Sequence, residues 1–362
     1  MEPRLKRTLW GLPVFLAGAV MVLAAQQPPA TPAEPDDGLD ALRAKDLLGD
    51  DDRAALRAWI GERIAMVIGD DVAGAQQAVA QLRQGARGGR GFTDAYVAAT
   101  MESIGSAYKK AELVPASRLL IVLGELNDPR TFNTLLGALQ DERTGVRAAA
   151  AVGLRKLQSK LDPAAMNEML AALRAAGEKE TAPRTLDLIY RAMNLTEAPG
   201  LTERRASSTA IVDLLQQRLK SIENGRMRAE GGDLAALEAL DPQRGNLDDA
   251  TRRRYIAELG RLMHYCVCRY VRDDPLSRVR DQSSSPDVVE LRNNIEVTIR
   301  EAERQLQTLV GAPEGANIAE NMTRAKITEM AIAMNKWSEK LKGVDLDLPE
   351  VQRAPGDEPG GL

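Results

Sequence analysis

His264, Cys266 and Cys268 are the only histidine and the only cysteines among 362 residues, and all three fall in the pentapeptide HYCVC. Thiolate and imidazole are ligands for zinc and copper, and paired thiols do redox chemistry. The stretch that carries them has Ile256, Leu259, Met263, Cys266 and Tyr270 at three- and four-residue steps, which predicts an amphipathic helix. On a helix His264 and Cys268 share a face, whereas Cys266 points roughly opposite Cys268, so three ligands do not converge. The same divergence excludes a disulfide within the pentapeptide. Cys266 belongs to the apolar stripe, where a cysteine acts as a small hydrophobe. Intermolecular pairing and a two-ligand metal contact are the alternatives.

Other chemistries have less to draw on. A Ser-His-Asp arrangement would have to use His264, and no Gly-x-Ser-x-Gly elbow is present. The many carboxylates fall at helix termini and on solvated faces, where helix dipoles and solubility account for them. No glycine-rich phosphate loop follows a strand, and no stretch reads as a strand. QGARGGRG at 84–91 resembles Arg-Gly-Gly segments that bind nucleic acid, but it is short and has few aromatic neighbours, as a flexible loop between helices would. The formal charge of −4 gives no pull toward nucleic acid or an anionic membrane. The expectation is a non-enzymatic chain with no cofactor, no metal centre and no nucleic-acid partner.

The elements that would position any site are helical. Hydrophobic residues make up 44% of the chain but aromatics only 3%, and alanine and leucine dominate, which suits helix-on-helix packing. Residues 1–25 stand apart: Arg4, Lys6 and Arg7 precede an apolar run from Leu9 to Leu23 that ends in Ala24-Ala25. This is the pattern of a secretory signal peptide, with an uncleaved membrane anchor as the alternative. Residues 26–37, QQPPATPAEPDD, read as a disordered proline-rich linker. Short alanine-rich helices follow, with stripes at Leu56, Ile60, Ile64 and Val67 and then Val72, Val79 and Leu82.

The densest pattern lies at 115–160. Leu119, Leu120, Leu123 and Leu126 mark one helix, stopped by Asn127-Asp128-Pro129. Phe132, Leu135, Leu136 and Leu139 mark a second. After a turn at 141–145, Val146, Ala149, Ala150, Val152, Leu154 and Leu157 mark a third. This stretch resembles a HEAT repeat of the short bacterial kind, in which an Asp ending one unit and a Val-Arg pair opening the next recur together. Asp141 with Val146-Arg147 matches that pattern, as does the run from Leu123 to Arg130. The resemblance covers under a seventh of the chain. It implies a structural role for Asp141, Val146 and Arg147, with side-chain hydrogen bonding tying adjacent turns.

Further helical stripes continue the rhythm to residue 223, and a Gly- and Pro-punctuated stretch at 224–246 around one short helix reads as a linker. In 247–342 two long stripes stand out: Val288, Leu291, Ile295, Ile299, Ala302, Leu306 and Leu309, then Met322, Ile327, Met330, Met334, Trp337 and Leu341. They read as an antiparallel helical hairpin with a coiled-coil-like seam. Residues 343–362 read as a loose acidic tail. The expected whole is all-α: a HEAT-like array at 38–223, then a helical-hairpin domain. Stacked helix pairs expose extended surfaces. The expected function is an exported, periplasmic or cell-envelope scaffold that binds a protein partner and meets a membrane only through an uncleaved N-terminal segment. The alternative is a self-associating or membrane-tethered spacer built on the hairpin.

Overall fold

The computed structural model describes residues 37–45, 47–198, 200–225, 232–272 and 286–351. The expected signal peptide, all but the last residue of the 26–37 linker, and residues 352–362 of the expected tail lie outside these. Among the described residues every regular element is helical. In chain order α1 (Asp37–Arg43) and α2 (Asp50–Ile68) lead to α3 (Val72–Gly85) and α4 (Arg90–Lys110). The densely patterned stretch around 115–160 forms α5 (Leu113–Glu125), the short α6 (Phe132–Ala138) and α7 (Thr144–Leu157). Then come α8 (Pro163–Lys179), α9 (Pro183–Met193), α10 (Leu201–Glu223) and α11 (Leu234–Leu240). The chain continues through α12 (Asp249–Arg272), α13 (Pro286–Val310), α14 (Ile318–Thr323) and α15 (Ile327–Leu341).

Local chemistry sets the helix ends. Asp162 accepts the Ala165 N–H at 2.8 Å and Pro163 occupies the first turn of α8, where its missing N–H costs nothing. Asp248 caps α12 by accepting the Thr251 N–H at 2.7 Å. Just past α5, Asn127 takes a left-handed conformation (φ 49°) that few residue types other than Gly tolerate as well as Asn. Asp128 then accepts the Arg130 N–H at 2.9 Å and opens the next turn.

The helices pack as two rows. In one, α5 lies against α7, α7 against α9, α9 against α11, and α11 against α13. In the other, α8 lies against α10 and α10 against α12. Contacts between the rows join α8 to α9, α10 to α11 and α12 to α13, while α4 packs on α5 and α6 on α7. Polar ladders show the register within rows. Asp213 of α10 takes Arg174 of α8 at 3.4 Å, 39 residues away, and Arg254 of α12 at 2.6 Å, 41 residues away. Gln216 of α10 meets Glu258 of α12 at 3.0 Å, 42 residues away. In the other row Lys156 of α7 pairs with Glu125 of α5, 31 residues away. α5 and α7 cross closely. A Cβ on Gly124 would lie 2.5 Å from the Gly153 Cα, so this approach requires glycine at 124.

The buried side chains form one continuous core from Leu39 to Val351. The stretch at 224–246, expected as a linker, carries α11, whose Ala236, Leu237 and Leu240 are fully buried in that core between α9 and α13. The expected hairpin is arranged differently from its stripes. α12 is the principal neighbour of both α13 and α15. The reason is the breadth of its apolar face: beyond the single stripe read from the sequence, Leu262, Val267 and Val271 are also buried, leaving room for two helices. Ile295, Ile299, Leu306, Met330, Met334 and Trp337 are all buried. Each such side chain contributes about 1.5–3 kcal/mol. Residues 343–351, placed in the loose tail, pack down instead: Leu346 and Val351 are buried, and Asn335 accepts the Val351 N–H at 2.9 Å.

Candidate functional site

Asp141 and Arg147 flank the turn between α6 and α7, and Val146 is fully buried in the first turn of α7. The two charged residues do not pair through their side chains. The Asp141 carboxylate takes Arg143, whose Nε donates at 2.8 Å and Nη2 at 2.8 Å, with the Arg143 backbone N–H at 2.9 Å. These bonds, led by the guanidinium, hold the Asp141 carboxyl below the usual carboxylate range. Arg143 also reaches back to the Ala111 carbonyl at 2.5 Å and the Tyr108 carbonyl at 3.2 Å, tying this turn to the end of α4. Asp128 and Arg130 repeat the same fork one turn earlier, with Nε at 2.9 Å and Nη2 at 2.8 Å.

Arg147 faces forward. Its Nη1 donates to the Asp141 and Glu142 carbonyls at 2.9 Å each, while Nε and Nη2 reach the Glu180 carboxylate at 2.8 Å and 3.0 Å. Glu180 also accepts the Thr181 and Ala182 N–H groups at 3.0 Å and 2.9 Å. Burial pushes its carboxyl up, but Arg147 and the two N–H groups outweigh that and hold it below the usual range. The Glu180 and Gly177 carbonyls in turn accept Arg218 Nη1 at 2.7 Å and 2.9 Å. Arg218 is 3% exposed and donates from Nε to Asp233 at 2.8 Å. Tyr190 donates its hydroxyl to the same carboxylate at 3.0 Å.

This chain of charges, from the 141–142 turn to Asp233, joins α7, α9, α10 and the approach to α11. Its groups are aimed at one another and at main-chain carbonyls, so it fixes the turns rather than presenting a reactive atom. The sequence singled out Asp141, Val146 and Arg147 but not Glu180, Arg218, Asp233 or Tyr190. Arg218 did leave a signal: it falls on the apolar stripe Ile211, Leu214, Leu215, Leu219, where a charge needs a buried partner.

Cys266 lies in the core, 3% exposed, and burial pushes its thiol up to about 12. Cys268 turns to the other side, where its Sγ lies 3.6 Å from His264 Nε2 and 3.8 Å from Nδ1. His264 Nε2 donates to the Pro349 carbonyl at 2.7 Å. Burial lowers the imidazole pKa against the pull of that carbonyl. In the Arg-Gly-Gly stretch, Gly85 closes against the Tyr96 ring and Gly88 against Phe92, with the loop itself only 86–89.

Two open clefts lie on the described surface. One, of about 390 Å³, lies between α2 and α4 and is lined by Leu48, Leu56, Ala98, Arg53, Arg57 and Asp94. The other, of about 920 Å³, runs along α15 beside Leu348 and Glu350. Among the described residues no three His, Cys, Asp or Glu side chains converge as metal ligands, and no helix is long and apolar enough to cross a membrane. On α5, the first helix of its row, Leu113, Val114 and Ile121 are 45%, 49% and 37% exposed and form an apolar strip. Comparison with protein-family models, with curated proteins and with solved structures finds no match for this chain.

Proposed function

We propose that this chain is an exported binding or scaffold protein, without catalytic chemistry of its own, that holds a protein partner on the face of a HEAT-like helical array. The observation that carries the reading is the two-row packing, in which side-chain ladders recur at steps of 31 to 42 residues. Stacking of this kind spreads a surface along many helices and concentrates no reactive groups in one place. The forks at Asp128–Arg130 and Asp141–Arg143 repeat at successive turns, in keeping with a HEAT-like array. Export rests on the basic start, apolar run and Ala24-Ala25 of residues 1–25. The apolar strip on α5 is the part of the row best suited to a partner, because exposed Val and Ile side chains gain by being covered.

The test is in-cell cross-linking followed by purification from the envelope fraction, for the parent chain and for Val114→Glu with Ile121→Glu. A discrete partner band that disappears in the double variant, with an unchanged circular dichroism spectrum, supports the reading. No band, or one insensitive to both substitutions, contradicts it. A second reading, self-association, has one observation in its favour: Val289 and Val297 on α13 are 40% and 42% exposed. Light scattering at increasing concentration separates the two, since only self-association raises the mass of the pure chain.

A further inference from the structure

We propose that the cleft between α2 and α4 is a binding site for a short apolar peptide of two or three residues, held by its two charged ends. The cleft holds about 390 Å³ and shares no lining residue with the apolar strip on α5. Sites for small ligands run from about 300 to 1,000 Å³, so this volume suits a few residues and not a folded partner. Leu48 and Leu56, 7% and 1% exposed, supply its apolar part together with Ala95 and Ala99 of α4.

Charge is divided between the two sides. α2 contributes Arg53 and Arg57, one turn apart and both exposed, and α4 contributes Asp94 and Glu102. Among the described residues the side chains of Arg53, Arg57 and Glu102 have no ion-pair or hydrogen-bond partner, although all three line the same cleft. Other exposed arginines of this chain do find a carboxylate, as Arg191 does with Asp187 at 2.8 Å and Arg304 with Asp241 at 2.9 Å. Here the cleft holds the opposite charges apart. Asp94 already meets Arg130 at 3.3 Å, which leaves Glu102 as the open carboxylate.

That arrangement specifies the ligand. Two guanidiniums side by side fit a carboxylate, whose oxygens accept several N–H donors at once. Glu102 fits an ammonium. A molecule with a carboxylate at one end, an ammonium at the other and apolar groups between them is a peptide with free termini. An extended chain covers about 3.3–3.6 Å per residue, so two or three residues set those termini roughly 7–10 Å apart. A phosphate monoester would satisfy the arginines but meet repulsion from Asp94 and Glu102.

The experiment is isothermal titration calorimetry of the full chain with the dipeptide Leu-Leu, acetyl-Leu-Leu, Leu-Leu-amide and the doubly capped peptide. Leu-Leu is expected to bind at one site, and capping either end to weaken binding about tenfold or more. Ala98→Leu, which fills the cleft from an exposed position on α4, is expected to abolish binding with an unchanged circular dichroism spectrum. Arg53→Gln with Arg57→Gln is expected to weaken Leu-Leu but not Leu-Leu-amide, which has no carboxylate to lose. Glu102→Gln is expected to weaken Leu-Leu but not acetyl-Leu-Leu, which has no ammonium. A variant that merely disturbed the helices would weaken every probe alike, so this matching of wall to terminus identifies direct contact. No binding of Leu-Leu, equal affinity for the doubly capped peptide, or full binding in Ala98→Leu overturns the site. Equal losses for Leu-Leu and Leu-Leu-amide in the arginine variant overturn it as well.

Discussion

Substituting alanine for glycine at two helical positions separates the packed array from a set of loosely associated helices. In an exposed helix, Gly→Ala stabilises by about 0.5–1 kcal/mol, because the unfolded chain loses freedom that the helix never used. Gly105 in α4 has nothing within 4 Å of a new Cβ, so Gly105→Ala gains that full amount. Gly124 in α5 is the opposite case. Its Cβ would meet the Gly153 Cα at 2.5 Å, and a backbone atom cannot rotate away as a side chain can. Overpacking costs about 1–3 kcal/mol, and the unyielding neighbour places this site at the upper end. Gly124→Ala is therefore expected to lose roughly 1–2 kcal/mol net, leaving the two variants roughly 2–3 kcal/mol apart. Gly153→Ala falls between them: its new Cβ meets the movable Leu135 methyl groups at 2.9 Å and 3.0 Å and the Gly124 Cα at the less severe distance of 3.3 Å. Urea unfolding followed by far-UV circular dichroism measures all three. Equal stability of Gly124→Ala and Gly105→Ala would refute the close crossing of α5 and α7.

Two further substitutions probe the polar chain and the second row. Arg147→Ala removes the two guanidinium donors to the Glu180 carboxylate, leaving only the Thr181 and Ala182 N–H groups, and is expected to cost about 1–3 kcal/mol; adding Glu180→Ala recovers part of that loss, which thermal melting of the single and double variants checks. Burial pushes the Glu258 carboxyl above its ordinary value of 4.5, outweighing Arg261 and Gln216. The folded chain then binds that proton more tightly than the unfolded one. Glu258 thus favours folding most below the ordinary carboxylate range and loses that contribution as pH rises through its raised value. Glu258→Gln should gain on the parent chain between about pH 4 and pH 8, and a difference in urea midpoint that stays flat across that range would contradict the assignment.

Helical class was legible in the sequence because periodic leucines and alanines with few aromatics admit little else. Boundaries around 115–160 were legible too, since Pro129 and the 141–145 turn punctuate the chain locally. Partner choice was harder to read. The stripes of α13 and α15 suggested that these two helices face each other, but a stripe says which side is buried and not against what. α12 takes both because Leu262, Val267 and Val271 widen its apolar face. The glycines of 224–246 suggested a break, while Leu237 and Leu240 in the same stretch carry the core across it. At the Asp141 turn the motif pointed to Asp141 and Arg147, but the Asp141 carboxylate takes Arg143 two residues on, and Arg147 takes Glu180, 33 residues away. No local pattern encodes a contact at that range.

Tryptophan supplies the most direct measurement of the central claim, that one stack of helices runs without a break from α2 to α15. A chain beginning at residue 26 holds two tryptophans, Trp59 in α2 and Trp337 in α15. Trp337→Phe leaves a reporter at the first end, and Trp59→Phe leaves one at the other. The fluorescence midpoint of each variant in urea is compared with its own circular dichroism midpoint. Coincidence of fluorescence and circular dichroism in both variants is the predicted result. Loss of the Trp337 signal at a urea concentration where the helices around Trp59 remain folded would contradict the account and divide the chain at 224–246.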